Sequence, residues 1–307
     1  MIKFFPIVFI ALVSTVACNG QKTDVPMRPE SEVSGATQNN AYRIVTSNPS
    51  DSVQVEKMLQ NAENLNNDDN IPLHFARNFI GLPYVAHTLD RSLEENLVVN
   101  TRELDCTTFV ENVLALTVCK LRNMTSFHDF CSVLAQVRYT KGEVTYTARQ
   151  HYFTQWIDDN IKDGLVEEIK LPQPPLSQKR KPYVDFMTTH VEAYKMLNGH
   201  REWVPAIAEM EKQVNQMEFW YVPKEKLHDS QQYKEYIHDG DIVGIVTNKK
   251  GLDISHVGFA VWHKDGLHLM DASSIHKKVV DESITMYQYL MKQKSSVGIR
   301  VIRIHGI

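Results

Sequence analysis

The order of its hydrophobic periodicities constrains this chain most. Through the first 140 or so residues, apolar positions recur at helical spacing. One run is Val55, Met58, Leu59, Ala62 and Leu65, and a second opens at Pro72 and stops at Gly81. A third carries Phe109, Val110, Val113, Leu114 and Thr117, and a fourth carries Phe127, Phe130, Val133, Leu134 and Val137. From His238-Asp239-Gly240-Asp241 onward the pattern belongs to strands, at residues 242–246, 257–262, 267–270 and 297–304. Helices first and strands afterwards predict an α+β fold in which a helical part precedes an antiparallel sheet. Residues 142–153 read as strand. Between about 171 and 236 lies a Pro-punctuated helical region, with one stripe through Phe186, His190, Tyr194 and Leu197. A second stripe runs through Trp203, Ile207, Met210, Val214 and Met217, so the region is expected as a helical insertion packed on the core.

The N-terminus has a separate logic. Lys3 precedes an apolar run from Phe4 to Val13 and then Ser14-Thr15-Val16-Ala17-Cys18, the pattern of an export signal over residues 1–17. Ala17-Cys18 also fits lipoprotein processing with lipidation at Cys18, although Thr15 stands where a leucine is usual. Ordinary cleavage nearby, discarding Cys18, is the alternative. Residues 18–50 are polar and aperiodic and suit a tether, which leaves 51–307 as a single domain. The expected location is outside the cytoplasm, as a periplasmic or outer-membrane-anchored lipoprotein of a Gram-negative bacterium. Membrane contact is then by lipid anchor only. A net charge of -4 argues against a nucleic-acid partner.

Cys106, Cys119 and Cys131 remain in the domain, and an odd count in an exported protein flags a reactive thiol. Asp105 is a natural N-cap, which puts Cys106 in the first helical turn. There, unpaired N–H groups and the positive dipole end favour thiolate. A free cysteine is otherwise commonly an inert core residue, and Cys119 and Cys131, on apolar helix faces, read as reduced core thiols rather than a disulfide. No CxxC, HExxH or paired-cysteine zinc spacing occurs, so neither metal nor cofactor is expected.

A thiolate nucleophile needs a histidine and a group to orient it. Among thirteen histidines, His256 starts a strand, and Asp265-Gly266 suggests a hairpin to the next strand, which carries His268 and Asp271. An even loop puts Asp271 on the His256 face and turns His268 away, whereas an odd loop would make His268 the orienter. A two-residue turn at Asp265-Gly266 would leave Asp271 four positions out of register, roughly 13 Å along the strand. A four-residue loop halves that offset, and twist or a bulge could close the rest.

These residues fall within a broader resemblance. The chain resembles the N-acetylmuramoyl-L-alanine amidase-like family, exported members of the papain-like NlpC-type cysteine hydrolases that cut bacterial cell-wall peptides. The pieces that carry it are Gly81-x-Pro83-Tyr84-Val85, Leu104-Asp105-Cys106-Thr107-Thr108-Phe109-Val110-Glu111, Arg149-x-His151-Tyr152-Phe153, Gly240-Asp241, Ser255-His256-Val257-Gly258 and Asp271-Ala272-Ser273-Ser274. They stand in the family's order over roughly residues 70 to 305. Thr107 replaces a common serine, and Asp271 a frequent histidine. The resemblance implies a papain-like core, with Cys106 as nucleophile, His256 as base and Asp271 as orienter. Tyr84 would stand beside the nucleophile. Asp105, Thr107, Arg149, His151, Tyr152 and Ser255 would contact substrate, a peptidoglycan or muropeptide amide, and Arg149 in particular would offer a bidentate fork to a substrate carboxylate. Glu111 and His87 are expected to be structural. The implied reaction is N-acetylmuramoyl-L-alanine amide hydrolysis. The alternatives are a D-γ-glutamyl-diamino acid endopeptidase of the same fold and, in another class, a non-catalytic wall-binding lipoprotein.

Overall fold

The computed structural model describes residues 42–66, 69–171 and 175–305; the expected signal segment and Cys18 lie outside them. In chain order the first elements are β1 (Ile44–Thr46), α1 (Asp51–Asn61), α2 (Ile71–Arg77), β2 (Leu97–Val99), α3 (Cys106–Leu121), α4 (Phe127–Arg138) and α5 (Phe153–Lys162). Then come β3 (Val166–Glu168), β4 (Gln178–Arg180), the short α6 (Phe186–Thr189) and α7 (Lys195–Gly199), α8 (Val204–Val214) and β5 (Phe219–Pro223). The chain closes with β6 (Ile242–Thr247), β7 (Ile254–His263), β8 (Gly266–Ser273), β9 (Lys278–Asp281), α9 (Met286–Lys292) and β10 (Ser296–Ile304).

Seven strands lie in the order β4-β5-β10-β6-β7-β8-β9, and β3 adds to β10 as the eighth. Every pairing in this sheet is antiparallel, as the helix-then-strand pattern predicts. A separate parallel pair joins β1 to β2. The ordered body therefore includes the end of the stretch expected to be tether. The region 171–236 is also less detached than an insertion, because β4 and β5 at its two ends belong to the sheet. Its expected stripe from Phe186 to Leu197 is broken into two short helices by a 3-10 turn.

Residues 142–153 do not form a strand. They make turns closed by a single antiparallel bridge between Tyr139 and Arg149, with α5 starting at Phe153. Asp253 reaches across from the sheet to accept the Thr154 N–H at 2.7 Å, and so caps α5 from outside. The Gly240-Asp241 pair ties the start of β6 to β10: Gly240 takes φ +83°, and Asp241 receives both Arg303 nitrogens at 2.8 Å.

Helix α3 is the axis of the molecule. Its periodicity suggests one buried stripe, yet nearly every residue from Cys106 to Cys119 is buried, because α2 and α4 cover it on one side and β7 and β8 on the other. Phe109 meets the rings of Phe79 and Phe259 edge-on at 6.0 and 5.4 Å. Cys119 and Cys131 are buried and free. Burial pushes both thiols up, Cys119 to about 12.

A charged pair crosses this packing. Arg138 Nε donates to Glu111 at 2.7 Å, and Nη1 donates to the Val98 carbonyl at 2.8 Å. Burial pushes the Glu111 carboxyl up, and Arg138 pulls it back. Glu111 is thus structural, holding α3 to α4 and to β2. Glu111→Ala would leave the guanidinium buried without its counter-charge, and denaturant titration is expected to show a loss of about 3–5 kcal/mol.

Candidate active site

Cys106 is the first residue of α3. Asp105 adopts extended backbone and accepts the Thr108 N–H at 2.8 Å, while its own N–H donates to the Thr108 hydroxyl at 3.0 Å. This capping box sets the helix start at the cysteine and aims the first-turn amides outward. The thiol is 5% exposed and lines a cleft of about 260 Å³.

His256 and Asp271 come from the hairpin of β7 and β8. The turn is Lys264-Asp265, since His263 pairs with Gly266, and the register runs through Phe259 opposite Met270. One step further, Gly258 stands opposite Asp271, so Asp271 lies two positions from the residue facing His256. That is the offset of the longer expected loop, reached by a tighter turn placed one residue earlier. His268 points to the other face, where its Nδ1 meets the Glu282 carbonyl at 2.7 Å.

The remaining diagonal is closed by a glycine and a bulge. A Cβ at Gly258 would come within 2.5 Å of the Met270 carbonyl and 3.0 Å of the Asp271 Cβ. The empty position lets Asp271 lean along the strand until its Oδ2 stands 2.6 Å from His256 Nε2. On the other side of β7 the register slips by one at Ser255, between the pairs of Ile245 with His256 and Val246 with Ile254. A bulge beside a functional side chain re-aims it.

The electrostatics follow from this placement. Burial opposes charge on the His256 ring, but the Cys106 sulfur and then the Asp271 carboxylate outweigh it and raise the ring to about 10. Nε2 is taken by Asp271, and the buried Nδ1 has no hydrogen-bond partner, so Nδ1 is the nitrogen left for the sulfur. The Tyr289 ring lies roughly parallel to the imidazole at 6.4 Å. The sulfur thus sits at a helix N-terminus, with a histidine ring held toward its charged form beside it.

Tyr84 arrives on a strap. Gly81, at φ +87°, donates to the Val279 carbonyl, and the Tyr84 N–H donates to Lys277. On the strap's other side, Leu104 exchanges backbone hydrogen bonds with Pro83 and Val85. The Gly-x-Pro-Tyr-Val segment is thereby pinned between β9 and the start of α3. Burial, then the neighbouring Cys106, Asp105 and Asp271, push the Tyr84 phenol far up, so it stays a neutral O–H donor beside the sulfur.

Other expected contacts divide. Thr107 lines the cleft with a buried hydroxyl that has no partner, and Ser255 and Asp105 also line it. Arg149 lines it too, with Nη2 2.7 Å from Asp90 and 3.7 Å from Glu95, while its Nε is buried without a hydrogen-bond partner. One arm of the expected carboxylate fork is therefore already occupied by acids of the protein itself. His151 is buried against Tyr146, with its Nε2 on the Tyr146 carbonyl at 2.8 Å. Burial and then Arg149 lower it to about 3, so it is neutral. The Tyr152 hydroxyl is held by Glu211 at 2.7 Å, which leaves only its ring for the cleft.

Sequence reasoning missed Gly258 as a spacer and Asp90, Tyr194 and His87 as cleft residues. His87 sits at φ +61°, strain that no pattern of residue types signals. Tyr289 was missed with its whole helix. The register arithmetic around Gly258 could have revealed the empty position.

Comparison with known proteins now bears on this site. The profile of the N-acetylmuramoyl-L-alanine amidase-like family matches residues 74–299. A solved N-acetylmuramoyl-L-alanine amidase from Bacteroides uniformis is 35% identical with TM-score 0.72, covering 76% of this chain and 98% of its own. A Bacteroides fragilis protein, provisionally named a xylanase, is 38% identical with TM-score 0.70, covering 75% and 99%. A Legionella pneumophila protein at 20% identity and TM-score 0.61, covering 83% and 94%, shares the fold. No curated protein sequence matches.

Gly258→Ala tests the diagonal. Overpacking is expected to cost about 1–3 kcal/mol. With Asp271 displaced, the His256 pKa followed by NMR is expected to fall below about 10, the Cys106 sulfur still holding part of the rise. Because the folded value is the raised one, stabilisation from the pair is complete below ~6.5 and lost as pH rises through about 10. The variant's stability deficit is therefore expected to shrink over that window.

Proposed function

The chain belongs to the N-acetylmuramoyl-L-alanine amidase-like family, and from that premise we propose that it hydrolyses the amide between the muramoyl lactyl group and L-alanine through Cys106, His256 and Asp271. The observation that carries this reading is the buried 2.6 Å contact of His256 with Asp271, with the opposite ring nitrogen left for a sulfur at a helix N-terminus. The site needs no cofactor for this chemistry. In the wider scheme it is a papain-like, NlpC-type arrangement.

The Cys106 sulfur attacks the amide carbonyl, and the resulting oxyanion is met by the Cys106 backbone N–H and the Tyr84 hydroxyl. The tetrahedral intermediate collapses as imidazolium His256 gives its proton to the departing amine, leaving a thioester on the sulfur. His256 then takes a proton from water, whose oxygen attacks the thioester and restores the thiol. Asp271 holds the ring's orientation and stabilises its charged form. Thr107, with its unpartnered hydroxyl, is suited to hydrogen-bond the substrate. Glycoside hydrolysis would instead need two carboxyl groups facing the bond. In this cleft Asp105 caps α3 and Asp90 is paired with Arg149.

A wall substrate lies outside the cytoplasm, which accords with the export signal and with lipidation at Cys18. We place the enzyme on the periplasmic side, held to a membrane by that lipid alone.

Three measurements test the reading. Mass spectrometry of a defined muropeptide digest is expected to show free sugar plus intact peptide. Release of an L-Ala-D-Glu-bearing fragment would instead assign the endopeptidase bond. Cys106→Ala should lose hydrolysis by a factor on the order of 10⁴ or more. At pH 7, iodoacetamide is expected to label Cys106 far faster than Cys119 or Cys131, whose thiols are pushed up by burial. Uniformly slow labelling would favour a wall-binding module without catalysis.

A further inference from the structure

At the tip of the same hairpin, on the opposite face from the dyad, lies a cluster that the amidase chemistry does not use. His263 ends β7, Asp265 sits in the turn and His268 is on β8. Each offers one ligand atom, and the three atoms lie within 4.8 Å of one another. The two imidazoles are stacked, with centroids 4.0 Å apart and planes 16° from parallel.

His268 has the most informative surroundings. Its side chain is 2% exposed, and both ring nitrogens face acceptors. Nδ1 meets the Glu282 carbonyl oxygen at 2.7 Å, and Nε2 meets the Asp265 carboxylate at 2.9 Å. A neutral imidazole has only one N–H to give. One nitrogen is thus fixed by a backbone carbonyl, and the other is brought together with the Asp265 carboxylate and the His263 ring at a single point. A metal-bound histidine has this same layout, one nitrogen fixed by a backbone carbonyl and the other turned to the ion.

We propose that His263, Asp265 and His268 bind one divalent transition-metal ion, with zinc the natural occupant. Two imidazoles and one carboxylate form a donor set suited to zinc rather than to magnesium or calcium, which prefer all-oxygen shells. Zinc takes these ligands at about 2.0–2.2 Å. The closure required from the present spacing falls on the two exposed side chains, His263 at 35% and Asp265 at 65%. Asp281, whose carboxylate is 3.1 Å from His263 Nε2, stands ready on β9 to orient that ring. The His-x-Asp-x-x-His spacing differs from the zinc patterns sought in the sequence, because the turn rather than a helix brings its members together.

Such an ion would fasten β7 to β8 at the turn, and so fix the register that sets Gly258 opposite Asp271. The site stands independently of which bond Cys106 attacks.

The test uses the full chain carrying Cys106→Ala, so that zinc cannot bind the catalytic thiol, stripped of metal with EDTA and titrated with zinc chloride by calorimetry. One zinc per chain is expected, together with a higher melting temperature. His263→Ala and Asp265→Ala, both at exposed positions, are each expected to weaken binding at least about tenfold, while Lys264→Ala leaves it unchanged. No uptake of zinc overturns the proposal. So does uptake of equal affinity in the His263→Ala and Asp265→Ala proteins, which would locate the ion on other histidines.

Discussion

The contact on which this structure turns is the diagonal from Asp271 to His256 across the β7–β8 hairpin. It needs a turn at Lys264-Asp265, a bare position at Gly258 and a slip at Ser255, and each removes part of an offset that two ordinary strands would keep. Once formed, it holds the imidazole charged and leaves one nitrogen over for α3. The sheet therefore does more than support the site. Its register decides whether a histidine near the sulfur is an acid–base group or a packed core residue.

Helix α3 supplies the other half. Its apolar residues run all round because helices cover one side and the sheet the other, and its N-terminal end carries Cys106. Asp105 fixes that end through Thr108, so a single short motif determines both where the helix begins and where the sulfur sits. Tyr84, strapped to β9 and to Leu104, adds an un-ionised hydroxyl from a third direction. Along the cleft wall beyond, Arg149 Nη2 is held by Asp90 and the Tyr152 hydroxyl by Glu211.

Much of this was legible in the residues themselves. The helix start at Asp105 carries a local capping signal, and β6, β7, β8 and β10 show as short stretches rich in apolar residues. Parity separated Asp271 from His268 once the loop was taken as even. What escaped has physical causes. β9 and α9 are short and their identity depends on what they pack against, and β4 and β5 have mixed faces. Residues 142–153 have strand-like composition, yet only one backbone bridge forms there. Arg149 illustrates the limit best: its residue type invites a ligand, and only three dimensions reveal that Asp90 and Glu95 reach it first.

The strap from Gly81 to Val85 has a consequence for how the molecule comes into being. Its hydrogen bonds bind a stretch from the first third of the chain to β9, near the far end, and the sulfur and its ring are similarly distant in sequence. Such pairings close late, after long loops have been drawn in. A polypeptide that has built α3 but not yet β7 and β8 accordingly has Cys106 without its histidine and acid neighbours. That surrounding is complete only when the last strands are in place.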